Sequence, residues 1–352
     1  MNRAKERSFR DRDFLSTKEG FLFCVVGPYH PADRVISYLK YLQDSKGKWR
    51  KGKVRFKRVM QTYTILSLLK TFDLLRNNYP RYSFFSSAYN ITMTAVPKEY
   101  ITEHFKPEEK LCQLLKKSRL DSLQKKVASF VHLLSELCDI STKDFGVTGS
   151  ILLDIHNPAF SDMDITVYGV ENSYAVKNAL IKAYSPGRSF VKRFEGEKLR
   201  EWCRNKAQNY PISLTEAEQI YKRKWNRGIF NGTSFSVHPV KLEEEVTEKY
   251  GDKIYVPAGT VTVRAVVADS KDSLFLPAVY RVVDVEVEEK VEVNIEEVVS
   301  YEGLYGGLAE KNEMIVVRGK LEHVFDSRTC REYDRVLVGS PEGKGREYIK
   351  LV

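Results

Sequence analysis

Paired cysteines are missing from this sequence. The five cysteines (Cys24, Cys112, Cys138, Cys203 and Cys330) are odd in number, lie far apart and form no CxxC pair. This spacing argues against a disulfide framework and against a cysteine zinc site. It favours a reducing, cytoplasmic setting.

Long apolar runs are missing as well. No stretch of 18 or more apolar residues occurs, so we expect no membrane-spanning helix. The opening segment MNRAKERSFRDRD is charged and lacks the apolar centre of a secretory signal, so we do not expect it to be one.

Positive charge is in excess but unevenly distributed. The chain has 57 Lys and Arg against 47 Asp and Glu, a net charge of +10. From Ile254 onward the balance reverses, with 13 basic against 18 acidic residues. The basic part suits a polyanion such as nucleic acid or a nucleoside triphosphate, although a solvated surface with no acidic partner fits the same charge.

The 352 residues are enough for two or three domains, and their patterns predict an α+β fold in three segments. Segment 1–106 is an N-terminal α/β region, and segment 107–253 mixes helices with short strands. Segment 254–352 alternates Val, Tyr and Ile between Gly and Pro turns, which is typical of an all-β barrel, possibly OB-like. Its net negative charge argues against a broad phosphate-binding surface there.

A basic hairpin is predicted in the first segment. Arg34–Leu42 and Lys48–Val59 flank the turn-forming Asp44–Gly47. The second arm is dense in cations, and we expect it to contact nucleic-acid phosphates through Lys48, Arg50, Lys51, Lys53 and Arg55. A charged edge strand that resists aggregation explains the same pattern.

The informative stretch is Phe145–Gly169, FGVTGSILLDIHNPAFSDMDITVYG. Asp162 and Asp164 lie two apart in a strand-like run, so both side chains point to one face and can hold a divalent ion. Upstream, a short strand runs into Gly149-Ser150, where backbone amides and a hydroxyl can hold the phosphates of a nucleotide.

This arrangement, Gly149-Ser150, eleven residues, then Asp162-Met163-Asp164, resembles the signature of the DNA polymerase beta-like nucleotidyltransferases. The wider chain, from Gly27–Val35 to the β-rich end, also resembles an uncharacterised archaeal nucleotidyltransferase-like family. The resemblance implies a mixed-sheet nucleotidyltransferase core with a helical insertion in segment 107–253. It implies that Gly149 and Ser150 bind the triphosphate, and that Asp162 and Asp164 bind Mg²⁺.

The sequence departs from this family at one point. Members usually carry a third carboxylate on a later strand, but the strand expected here, Ser234–Val240, has no Asp or Glu. His238 is the candidate replacement, as a catalytic base or a ligand for Mn²⁺. Glu243, just beyond the strand, is a weaker one.

The resemblance therefore implies a metal-dependent nucleotidyltransferase. It moves a nucleoside monophosphate from an NTP to an acceptor hydroxyl, with nucleic acid as the expected acceptor and a protein or small molecule as open alternatives. The competing hypothesis is a non-catalytic protein that binds nucleic acid or nucleotide through a degenerate transferase core. The sequence does not indicate an oligomeric state.

Overall fold

The computed structural model describes residues 7–60, 62, 64–184 and 191–352, which fold into two compact units. The first unit draws on Met1–Val59, Ala95–Lys192 and Gly228–Lys249, and the second on Met60–Thr94, Arg193–Arg227 and Tyr250–Val352. The predicted α+β class with a β-rich C-terminal region is confirmed.

The helices are α1 Ile65–Asn78, α2 Pro107–Lys116, α3 Ser122–Cys138, α4 Gly149–Leu152, α5 Val170–Ala183, α6 Gly196–Asn209 and α7 Leu214–Arg223. The first ten strands are β1 Phe14–Thr17, β2 Leu22–Val25, β3 Arg34–Gln43, β4 Trp49–Lys51, β5 Val54–Arg58, β6 Ser83–Ser86, β7 Ile91–Pro97, β8 Ile101–Phe105, β9 Phe145–Val147 and β10 Met163–Tyr168. The others are β11 Val191–Lys192, β12 Arg227–Phe230, β13 Thr233–Val240, β14 Lys253–Asp269, β15 Ala278–Val287, β16 Ile295–Ser300, β17 Met314–Asp326, β18 Arg331–Val338 and β19 Tyr348–Leu351.

An antiparallel sheet in the order β4-β5-β3-β2-β1-β8 forms one part of the first unit. The predicted hairpin is wrong in one respect: β3 does not turn directly into a single basic arm. Residues 49–58 fold back on themselves as β4 and β5, and β5 pairs with β3. The extra turn at Gly52 explains this, because that glycine has a φ of +59°, which side chains disfavour.

A second, mixed sheet completes the first unit, in the order β11-β12-β13-β10-β9. Strand β10 runs parallel to β13 and antiparallel to β9. Helix α3 packs onto this sheet through Phe130, whose ring lies 4.5 Å from that of Phe235 in β13. Strand β10 therefore lies between the two strands that carry the rest of the candidate site.

The second unit contains a closed barrel. Its strands follow the order β14-β15-β16-β18-β17, and β17 returns to pair with β14. All neighbours are antiparallel except β16 and β18. Helices α6 and α7 contribute Cys203, Ala217 and Ile220 to the same buried cluster as the barrel strands.

Among the residues that the structure describes, no helix combines the length and apolar character needed to cross a membrane.

Candidate active site

The bend at Gly149 lies against the carboxylate of Asp164. Gly149 has a φ of +69°, and a Cβ added there would come within 2.6 Å of Asp164 Oδ2. Just before it, the Thr148 amide donates to the Asp164 carbonyl at 2.9 Å. Both the backbone conformation and the lack of space therefore require glycine at this position.

Asp162 and Asp164 flank the fully buried Met163 at the start of β10. Asp162 is exposed, and the side chain of Asp164 is 21% exposed. Because side chains alternate along a strand, Asp164 lies on the face of β10 opposite to Met163, and Asp162 directly precedes the strand. Ser150, in the one-turn helix α4, is buried.

Strand β13 supplies two polar side chains to Asp164. Its register places Ser236 beside Asp164 and His238 beside Thr166. The Ser236 hydroxyl donates to Asp164 Oδ1, and Ser236 Oγ lies 2.8 Å from His238 Nε2. His238 Nε2 is 3.6 Å from the same carboxylate oxygen. Ser236 and His238 lie on the strand where the resemblance to nucleotidyltransferases predicted a third carboxylate.

The direction of these hydrogen bonds limits what His238 can do. A serine has one hydroxyl proton, and Ser236 gives it to Asp164, so Ser236 must accept from His238 Nε2. In this arrangement Nε2 is the hydrogen-bond donor to Ser236. Its geometry suits positioning of Ser236 and Asp164, so a catalytic role for His238 stays a prediction.

The electrostatics keep Asp164 ionised. Burial alone would raise its pKa, but the hydrogen bond and charge of His238, the charge of Lys40 and the Ser236 hydrogen bond together lower that pKa below its usual value. An ionised carboxylate at neutral pH is the form that binds a cation.

Sequence reasoning missed both Ser236 and Lys40. Lys40 is 6% exposed, and its ammonium lies 5.2 Å from the centre of the Phe14 ring. It is the extra residue where the register between β2 and β3 shifts, since Phe23 pairs with Leu39 and Leu22 with Tyr41. Such bulges often redirect a side chain near a functional site. The available signal was a lysine within an otherwise mostly apolar strand.

The basic hairpin is anchored beside the same site. The five predicted contact residues Lys48, Arg50, Lys51, Lys53 and Arg55 are all exposed. The Arg50 amide donates to the Ile155 carbonyl at 3.4 Å. The rings of Trp49 and Phe160 meet edge to face at 5.9 Å, and Phe160 lies two residues before Asp162.

Glu243, the weaker candidate for a third carboxylate, is engaged elsewhere. Arg10 Nε donates to its Oε1 at 2.9 Å, and Ser8 Oγ donates to the same oxygen at 3.0 Å. These contacts hold the N-terminal segment of the unit, so Glu243 has a structural role.

In the described part of the chain, no group of three or more His, Cys, Asp or Glu side chains is placed to hold a metal by itself. Asp162 and Asp164 offer hard carboxylate oxygens, and the bend at Gly149 lies directly against Asp164. Mg²⁺ is commonly held by one or two carboxylates, with substrate phosphates and water completing its shell. The donor set present fits that mode of binding.

One relative extends across almost the whole chain. The uncharacterized protein MJ1086 of Methanocaldococcus jannaschii is 28% identical over 344 residues, which cover 97% of this chain and 98% of the relative. No family model matches the chain, and no solved structure matches it. The near-complete coverage means that the similarity includes residues of both units.

Proposed function

We propose that this protein is a metal-dependent nucleotidyltransferase with a polymerase beta-like core, which moves a nucleoside monophosphate from an NTP to an acceptor hydroxyl. The observation that carries the proposal is the placement of Gly149 directly against Asp164. The glycine bend, which we propose holds the phosphates, and a carboxylate with a lowered pKa thereby lie side by side.

The chemistry follows from that placement. Gly149 and Ser150 hold the phosphates, while Asp162 and Asp164 hold Mg²⁺ or Mn²⁺. When bound, the metal ion neutralises charge on the phosphate oxygens. The acceptor oxygen forms a bond to the α-phosphorus, the bond to the β-phosphate oxygen breaks, and pyrophosphate leaves with the electron pair. The proton of the hydroxyl passes to water. The protein contributes mainly positioning and electrostatics.

Nucleic acid is the proposed acceptor. The basic hairpin is exposed and is anchored on the loop that leads into Asp162. Phosphate contacts by arginine and lysine supply much of the affinity of proteins for nucleic acid.

The second candidate is a non-catalytic protein that binds nucleotide or nucleic acid. It is favoured by one observation, the Ser236 and His238 side chains where an acidic residue was expected. The two candidates differ in whether a nucleoside monophosphate is transferred to an acceptor.

The decisive experiment incubates the full chain with α-labelled NTPs, Mg²⁺ or Mn²⁺, and RNA, DNA or protein acceptors. We expect label transfer that disappears in Asp162→Asn and in Asp164→Asn. Glu136→Gln, which removes an exposed carboxylate from α3, should transfer normally. Undiminished transfer in both Asp variants overturns the site. Nucleotide binding without transfer to any acceptor supports the non-catalytic protein.

A further inference from the structure

We propose that the acceptor is the end of a single-stranded nucleic acid, whose terminal base stacks on Phe160. This inference rests on the proposed function and specifies the substrate class of the same site. It depends on an exposed aromatic ring, on the rigidity of the loop that carries it, and on the arrangement of the neighbouring cations.

Phe160 presents its ring to solvent on the loop that precedes the carboxylates proposed to bind metal. The residue is 52% exposed, although its edge-to-face contact with Trp49 fixes the ring. Exposing an aromatic ring forfeits the free energy of burying it. Because Phe160 lies only two residues before Asp162, a base stacked on its ring would lie near the proposed metal ligands.

The loop around Phe160 is held by local hydrogen bonds. The Phe160 and Ser161 amides donate to the Asn157 carbonyl at 3.1 and 2.9 Å. The Ala159 amide donates to Asn157 Oδ1 at 3.0 Å, and the Asn157 amide donates to Ser161 Oγ at 3.0 Å. A ring on such a loop loses little conformational entropy when a ligand binds.

The adjacent hairpin places like charges directly opposite each other. Arg50 pairs across the strands with Arg55, and both side chains are exposed. Like charges in this position destabilise a hairpin. Alternation along the strands puts Lys48 and Lys57 on the same face, and residues 48–58 contain no acid. A row of phosphates would neutralise the positive charge on this face, whereas a neutral ligand would not.

An unpaired strand fits this combination better than a duplex. A base can stack on Phe160 only if its face is free, and in a duplex the faces are covered by neighbouring pairs. Proteins that bind single strands combine a cationic track with aromatic stacking in this way. The terminal nucleotide would then present its hydroxyl near Asp162 and Asp164.

The test measures binding alone, so that it does not depend on turnover. Fluorescence anisotropy compares a labelled 12-nucleotide single strand, as RNA and as DNA, with a blunt duplex of the same sequence. We expect tighter binding of the single strand. Phe160→Leu should weaken that binding on the order of tenfold, and Phe160→Trp should restore it. The control is Phe85→Leu in β6, which removes a ring that is 61% exposed and should leave binding unchanged.

Each outcome separates this inference from the proposed function. Equal binding of duplex and single strand, unchanged binding in Phe160→Leu, or no nucleic-acid binding by the wild type overturns the inference. Single-strand binding that depends on Phe160, without nucleotide transfer, supports the stacking on Phe160 but overturns the enzymatic proposal, and with it the role of the strand as acceptor. Transfer to a protein or small molecule without single-strand binding supports the enzymatic proposal and overturns the inference about the single strand.

Discussion

At the scale of single residues, Gly149 and Asp164 constrain each other. The sequence was sufficient to identify both, because Gly-Ser and Asp-x-Asp are local patterns at a fixed spacing. It did not reveal Ser236, which pairs with the distant Asp164, or Lys40, whose charge acts on Asp164 from β3. Pairing partners are not local properties, so no window of sequence contains them.

Replacing Gly149 with alanine should abolish nucleotidyl transfer. The new Cβ would lie 2.6 Å from Asp164 Oδ2, so the carboxylate must move away from the bend. Gly232→Ala is the matched control, because Gly232 has a φ of +75° with no atom within 4 Å of the added Cβ. Both variants should lose about 1 kcal/mol of unfolding free energy through backbone strain. Transfer assays and urea denaturation check this, and an active Gly149→Ala would contradict the proposed contact between bend and carboxylate.

Lys40 should contribute to the binding of triphosphate. Its charge acts on Asp164 within a buried environment, where a nucleotide would bring further negative charge. Lys40→Met should lower the affinity for a fluorescent NTP on the order of tenfold, with a much smaller effect on the matching nucleoside. Lys40→Arg should retain more affinity than Lys40→Met. Equal losses for NTP and nucleoside would instead indicate a general structural role.

Glu302, in the second unit, should make folding stability depend on pH. Burial raises its pKa from 4.5 to about 7, although the carboxylate accepts from the Ile65 amide at 3.2 Å. Since the folded state holds this proton more tightly, the contribution of Glu302 to stability is greatest below pH 4.5 and falls as the pH rises towards 7.

Glu302→Gln removes the titrating group but keeps an acceptor for the Ile65 amide. At pH 8 the variant should therefore be more stable than the wild type, by a few kcal/mol at most. At pH 5 the difference should be much smaller. Urea denaturation at the two pH values measures it, and a difference that does not change with pH would show that Glu302 titrates normally.

At the scale of elements, the sequence predicted strands best where composition and turns agreed. The strand expected over Ser234–Val240 is observed as β13, Thr233–Val240. The pattern of Met60–Asn77 predicts a helix, and the structure has α1 over Ile65–Asn78, where Thr64 caps the first turn by accepting from the Ser67 amide. Short strands such as β1 carried too few residues to show a period, and they form through pairing with neighbours.

The β4–β5 hairpin should gain stability when one of its arginines is reversed in charge. In Arg50→Glu the cross-strand pair with Arg55 becomes attractive, which is worth about 0.2–1 kcal/mol. Single-strand binding should fall in the same variant. Lys143→Glu, a charge reversal at another exposed lysine of the first unit, should change binding much less. If Arg50→Glu lowers both the stability of the protein and its binding of single strands, then Arg50 and Arg55 stabilise the fold and do not act as phosphate ligands.

At the scale of the whole molecule, charge divides the chain between a basic portion and an acidic barrel region. Residues from Ile254 onward carry 13 basic and 18 acidic side chains, while the full chain has a net charge of +10. If the proposed function is right, a polyanion should therefore be attracted to the part of the chain that holds the hairpin and the candidate site. Composition alone revealed this division, whereas the strand order that closes the barrel required the structure.

Salt should accordingly weaken single-strand binding in proportion to the phosphates neutralised. Each contact contributes about −0.7 to the slope of log affinity against log salt for single strands. If Lys48, Arg50, Arg55 and Lys57 each neutralise one phosphate, the slope should be about −3. Arg55→Gln should make the slope shallower by roughly 0.7, and Lys311→Gln, at an exposed lysine of the acidic region, should leave it unchanged. Only contacts that release counterions from the strand make affinity depend on salt. Binding that is insensitive to salt, or a slope that both variants change equally, would therefore mean that the hairpin is not the phosphate-binding surface.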